Sequence, residues 1–149
     1  MTAPERDEKT SFLRHQGRES TEISELLARE VASRHGPRDE KPLSIEARDA
    51  EGALLCGMNG VIHWRWLYVR HFWVAPEKRA QGFGRALMAE VESLARETGS
   101  IGIYLDTFEE GAARFYERLG FSRCGRIEDF PQGAARVFLA KRIAERPLP

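Results

Sequence analysis

The stretch Leu67 to Gly99, LYVRHFWVAPEKRAQGFGRALMAEVESLARETG, constrains this chain more than any other. It opens with an apolar, aromatic and β-branched run, Leu67 to Val74, long enough for a strand buried on both faces. Pro76 and the charged Glu77-Lys78-Arg79 end that run. Gly82 and Gly84 then precede a segment whose Leu87, Met88, Val91, Leu94 and Ala95 fall on one face of a 3.6-residue period. Gly99 supplies the stop. The pattern predicts a strand, a glycine loop and a helix in succession. Glycines at 82 and 84 remove the side chains that would hold a ligand away from the backbone. The first turn of the helix carries unpaired N–H groups and the positive end of the helix dipole. A pyrophosphate is the natural occupant of such a place.

The rest of the chain supplies a sheet around this unit. Residues 1–10 are polar and highly charged and are expected to form a disordered tail, leaving residues 11–149 as a single domain. Ser11 to His15 reads as a short strand. Ser20 is a reasonable N-cap for a helix with Ile23, Leu26, Leu27 and Val31 on one face, closed by Gly36-Pro37. Leu43 to Arg48 and Leu54 to Trp64 read as strands joined by the turn Asp49-Ala50-Glu51-Gly52, with Gly57 and Gly60 marking bulges or close backbone approaches. Ile101 to Thr107 alternates as a strand, Glu109 to Leu119 is helical up to Gly120, and Phe121 to Glu128 with Arg136 to Lys141 forms a last hairpin around Pro131-Gln132-Gly133. The expected fold is α/β, with a mixed sheet of about six to seven strands.

Composition excludes several classes. Basic and acidic side chains number 23 each, so no net field recruits nucleic acid or an anionic membrane. The start lacks the apolar core of a secretory signal, and no apolar run approaches membrane-spanning length. Cys56 and Cys124 have neither CxxC nor His spacing, which predicts buried free thiols and no metal site. The chain reads as cytoplasmic.

A dinucleotide-dependent oxidoreductase is one reading of the glycine loop. Gly82-Phe83-Gly84 is a GxG, and Asp106 ends a strand about twenty residues later, where a ribose-binding acid would stand. Leu87 opposes it, because a third small residue should let helix and strand pack closely. A charged span from Ala75 to Gln81 replaces the tight turn, and too little chain follows for a doubly wound sheet. A Walker-type loop is excluded, since no Gly-Lys-Ser/Thr follows.

Arg79-Ala80-Gln81-Gly82-Phe83-Gly84 resembles the Q/R-x-x-G-x-G/A motif of the GNAT superfamily of acetyl-CoA-dependent N-acetyltransferases, with Val74-Ala75-Pro76 ahead of it as the family's V-x-P. A second match, Ala112 to Phe121, is similar to the family's A-x-x-x-Y-x-x-x-G-F helix. Resemblance runs from about Leu43 to Ile143, and Tyr104 to Phe121 resembles a bacterial branch with largely unassigned substrates. It implies an acetyl-CoA cleft between two splayed parallel strands and direct attack by a primary amine, expected to belong to a small molecule, within a ternary complex. A homodimer is a further expectation, since dimers are common among relatives.

The same resemblance assigns roles. The main chain of Phe72, Trp73 and Val74 would bond the pantetheine arm as an added strand and polarise the thioester carbonyl; their side chains read as core. Arg79, Ala80, Gln81, Gly82, Phe83, Gly84 and Arg85 would cradle the pyrophosphate through backbone N–H groups. Tyr116 matches the general acid that protonates the departing thiolate, although its spacing alone also fits a core aromatic like Phe115. Strand parity puts Tyr68 and Arg70 on one face with His71 opposite, and neither Tyr68 nor Arg70 is an ordinary base. His63, Asp106, Glu109 or a water chain remain open for that role, and Glu109 stands where the family commonly has Asn. The missing base motivates an alternative: a non-catalytic acyl-CoA-binding module with the same fold.

Overall fold

The computed structural model describes residues 10–145, and the chain divides after Pro37 into two units. The first unit holds one helix, α1 (Thr21–His35). Ser20 caps it, its hydroxyl accepting the Ile23 N–H at 3.4 Å. Its expected apolar face stays largely in solvent, with Ile23, Leu26 and Leu27 exposed by 68, 52 and 58 %. Ser11 to His15 is not the strand expected of it and has no regular structure. Phe12 and Leu13 there are 79 and 82 % exposed, so no burial offsets the cost of ordering an isolated strand. The expected tail, apart from Thr10, lies outside the described residues.

The second unit begins with a meander, β1 (Lys41–Arg48), β2 (Leu54–His63) and β3 (Trp66–Val74). It continues with α2 (Phe83–Glu97), β4 (Gly102–Thr107), α3 (Glu110–Arg118), β5 (Ser122–Glu128) and β6 (Ala135–Arg142). Six strands form one sheet in the order β1-β2-β3-β4-β6-β5. Among the described residues only β3 and β4 pair in parallel, because only there does a helix return the chain beside the strand it left. The last strand inserts between β4 and β5, so α3 does not join neighbours. This is the mixed sheet expected, with six strands and a single helix-linked pair; a doubly wound dinucleotide fold, which needs consecutive parallel strands, is ruled out.

One face of the sheet carries the core. Leu67, Val69, Ile103, Leu105, Val137 and Leu139 pack there against Leu87, Met88, Val91 and Ala95 of α2 and Ala113 and Tyr116 of α3. On α2 this is the apolar face that the periodicity predicts, with Leu94 only half-buried; on α3 the buried pair is flanked by the half-buried Ala112, Phe115 and Leu119. Fully burying one such aliphatic side chain contributes roughly 1.5–3 kcal/mol.

A register shift between Asn59 and Gly60 on β2 leaves Arg70 as the extra residue on β3, since Asn59 pairs with His71 and Gly60 with Val69. This bulge changes the parity of the strand. Before it, Leu67 and Val69 face the core; after it, Phe72 and Val74 do so, opposite Met58 and Cys56. The parity expected from sequence is therefore wrong beyond Val69. His71 shares a face with Tyr68, and its Nδ1 lies 3.3 Å from the Asn59 amide. Trp73, expected in the core, turns to the other face and is 42 % exposed. Gly60 permits the bulge: a Cβ there would sit 2.5 Å from the Tyr68 carbonyl oxygen.

Cys56 is buried as expected, but Cys124 is exposed, because it falls in a second irregularity on edge strand β5. Both are free thiols.

Candidate active site

β3 and β4 stay paired only from Trp66–Gly102 to Val69–Leu105. Beyond that rung β3 runs on to Val74 beside β2, while Asp106 and Thr107 follow β6. The two strands part at the bulge, and a cavity of about 1140 Å³ opens between them. Main-chain direction along β3 follows from one bond, Ala75 N–H to the Leu55 carbonyl at 2.8 Å. Alternation then turns the amides and carbonyls of Phe72 and Val74 toward the side that β4 has left. The Val74 carbonyl accepts a hydrogen bond from Arg79 Nε at 3.1 Å.

At one end of the cavity stands the glycine loop. Pro76–Lys78 forms a single 3-10 turn, and Ala80 and Gly82 take positive φ, 61° and 88°. Gln81 Nε2 donates to the Glu77 carbonyl at 2.8 Å, which helps hold the loop's shape. Helix α2 starts on Gly82 with no side chain capping its first turn. The N–H groups expected to face a ligand are thus not claimed by a cap of the protein's own. Gly84 has a different reason to be glycine: a Cβ there would lie 3.1 Å from the Phe115 ring. Arg79, Ala80, Gly82, Gly84 and Arg85 border the cavity, as do Phe72, Trp73 and Val74; Gln81 and Phe83 do not. Phe83 instead packs on the core.

Tyr116 comes from α3 on the core side. It is 7 % exposed, borders the cavity, and is clamped edge-on by Phe72, Phe115 and Phe121 with centroids 5.8, 5.3 and 5.8 Å away. Burial first, and the Asp106 charge second, push its phenol up to about 12. Its position is that of a core aromatic that also borders the cavity.

The opposite face of the parting carries a polar array. The Tyr68 hydroxyl donates to Asp106 Oδ1 at 2.7 Å, and Arg136 Nη1 donates to Asp106 Oδ2 at 3.1 Å. The Asp106 side chain is 13 % exposed. Tyr68 stacks on Tyr104 with centroids 4.8 Å apart, and Tyr104 shares a 2.6 Å hydrogen bond with His63 Nε2. Burial, then the hydrogen bond to Asp106 and that carboxylate's charge, push Tyr68 up to about 12. Arg136 lies over Phe130 at 4.1 Å and Phe108 at 5.5 Å. Tyr68, Asp106, His71, Glu109 and Arg136 border the cavity, whereas His63 does not. Nothing in the sequence signals Arg136, which is joined to Asp106 only by the insertion of β6 beside β4. Among the described residues no cluster of His, Cys, Asp or Glu could hold a metal ion, and no helix is long and apolar enough to cross a membrane.

Residues 45–123 match the acetyltransferase (GNAT) domain. Over 118 residues the chain is 35 % identical to an acetyltransferase of Agrobacterium fabrum, spanning 79 % of this chain and 85 % of that one. Over 109 residues it is 35 % identical to the blasticidin-S acetyltransferase of Streptomyces morookaense, spanning 70 % and 80 %. The crystal structure of an acetyltransferase from Agrobacterium tumefaciens superposes with a TM-score of 0.78 at 30 % identity, covering 90 % of this chain and all of that one. A streptothricin acetyltransferase-like protein of Bacillus anthracis, crystallised with acetyl coenzyme A, shares the fold at a TM-score of 0.62 and 20 % identity over 69 % of this chain and 63 % of that one. The matched domain and these relatives make the chain an acyltransferase. The chain belongs to the GNAT acetyltransferase family, whose donor is acetyl-CoA.

Proposed function

We propose that this enzyme transfers the acetyl group of acetyl-CoA to a primary amine of a small molecule, by direct attack in a ternary complex. The observation that carries this reading is the parting of β3 from β4 after Val69 and Leu105. It leaves a strand edge, an uncapped helix N-terminus and a buried phenol around one cavity. Pantetheine takes the edge of β3, bonding the main chain of Phe72 and Val74, with Trp73 between them presenting its ring to the other face. The pyrophosphate lies on the amides of the loop from Arg79 to Arg85, including Gln81 and Phe83, whose contribution is backbone only. The thioester then reaches the level of the bulge, where the developing oxyanion meets a backbone amide of β3.

Tyr116 is the general acid. A phenol held near 12 stays protonated throughout the physiological range. The burial that raises it also raises the basicity of the departing thiolate, so the two remain matched. Relatives named for blasticidin S and streptothricin acetylation support an amine-bearing small molecule as acceptor. Free cysteines at 56 and 124 suit a reducing cytosol.

The test is CoA release from acetyl-CoA across blasticidin S, streptothricin, polyamines, amino acids and aminoglycosides, with CoA affinity measured in parallel. Tyr116→Phe is expected to lower turnover by about 100-fold while leaving CoA affinity within twofold. Unchanged turnover would remove the acid role. CoA binding without transfer to any amine would instead support the non-catalytic module.

A further inference from the structure

Acetyl transfer needs a group that takes a proton from the attacking amine, and the ordinary candidates are badly placed. His63 lies off the cavity, bonded to Tyr104. Glu109 sits at the N-terminal end of α3 and is exposed. His71 borders the cavity but leans along β3 toward β2, where its Nδ1 meets Asn59. Asp106 stands where the strands part, yet both its oxygens are engaged, by Tyr68 and by Arg136.

That engagement is itself a path. The Tyr68 hydroxyl has one proton, committed to Asp106 Oδ1 at 2.7 Å, so its lone pairs are free to accept another. Its ring is fixed by stacking on Tyr104, which His63 anchors in turn. Tyr68 lies on the face of β3 opposite Val69, and Val69 packs in the core with Tyr116. The two phenols therefore approach the parting of β3 and β4 from opposite sides of the sheet.

We propose that Tyr68 is the proton acceptor for the incoming amine and that Asp106, held by Arg136, is the terminal base acting through it. This rests on the acetyltransferase reading above. The neutral amine attacks the thioester carbon, forming the C–N bond as the carbonyl electrons move to oxygen. The amine proton passes to Tyr68 Oη while the Tyr68 proton passes to Asp106 Oδ1. Collapse of the tetrahedral intermediate breaks the C–S bond, and Tyr116 gives its proton to sulfur. Asp106 then loses a proton to solvent and Tyr116 regains one, which returns both to their starting states. A tyrosine in this position never has to become a free phenolate, because it gives one proton as it takes another. The charged and titratable groups around it are Asp106 and Tyr104 on β4, Arg70 and His71 on β3, and Arg136 on β6. Arg136 holds the other oxygen and so fixes which one faces Tyr68. Asp106 is thus a positioning and proton-storing residue, while Tyr68 touches the substrate.

The experiment compares wild type with Tyr68→Phe, Asp106→Asn and His71→Gln, using acetyl-CoA and the amine of the panel with the highest wild-type turnover. Thermal unfolding verifies that each variant is folded, and each is assayed with and without imidazole as an external base. Tyr68→Phe is expected to lower kcat by about 100-fold and Asp106→Asn by at least about tenfold, with the KM for acetyl-CoA unchanged. The deficit of the Tyr68→Phe variant should shrink in proportion to unprotonated imidazole, a response that a structural defect would not show. His71→Gln should stay within about threefold of wild type. Full activity in Tyr68→Phe, or a loss that imidazole leaves untouched, overturns the relay while leaving acetyl transfer standing. A large loss confined to His71→Gln overturns it in favour of the histidine. If wild type acetylates no amine, the relay falls together with the function beneath it.

Discussion

The two halves of β3 are built from the same kinds of residue and do different things. Trp66–Val69 pairs with β2 on one edge and β4 on the other. His71–Val74 pairs only with β2. In the first half, Leu67 is fully buried and Val69 nearly so. In the second, one edge of aromatic and β-branched residues borders a cavity. What separates them is a single extra residue, Arg70, at a bulge, together with β4 turning away to follow β6. Apolar composition makes both halves strand, but only loss of the neighbouring strand turns the second into a place for a ligand.

That contrast can be broken most strongly from the paired half. Leu67→Ala leaves a cavity beneath α2 and should cost about 2–5 kcal/mol, read as a lower urea midpoint at unchanged slope. Gly60→Ala acts at the junction: its Cβ would press on the Tyr68 carbonyl oxygen and the Met58 methyl at 2.5 and 3.1 Å. It should cost about 1–3 kcal/mol, and a crystal structure should show the bulge shifted and Tyr68 displaced. Gly82→Ala should cost about 1–2 kcal/mol of left-handed strain and weaken CoA binding several-fold by calorimetry, since the loop can relax only by moving its amides.

A pH experiment sharpens the comparison without disturbing packing. Tyr68 and Tyr116 are both held near 12 in the fold, against about 10 for an ordinary phenol. Folding thus favours their protonated forms. Their contribution is complete below pH 10 and is lost as pH rises from 10 toward 12, with the wild type losing stability across that window. Phenolate absorbance should appear late for all three tyrosines, since burial raises Tyr104 as well, and Tyr116→Phe should make the alkaline loss shallower. The smallest effect belongs to the open half: Trp73→Ala should change stability by no more than about 0.5 kcal/mol, because the ring is already part-exposed.

Much of the fold was legible because its signals are local. Ser20 caps α1, Gly82 starts α2, and the apolar period of α2 corresponds to the face that packs on the sheet. The glycine loop was legible for the same reason, as was Tyr116 on its helix. Gly60 hinted at a bulge but could not say on which strand the extra residue would fall. That ambiguity misplaced His71 and Trp73, since every side chain past a bulge changes face.

Taken alone, the sequence determined the order of strands and helices from α1 onward, the family, and an uncapped turn between strand and helix, all written in neighbouring residues. Tertiary structure decided the rest: β6 slides between β4 and β5, carries Arg136 to Asp106 across thirty positions of chain, and leaves Tyr68 aimed at the carboxylate. No local pattern encodes such a meeting, because strand order is set by which faces can be buried together rather than by which residues are adjacent.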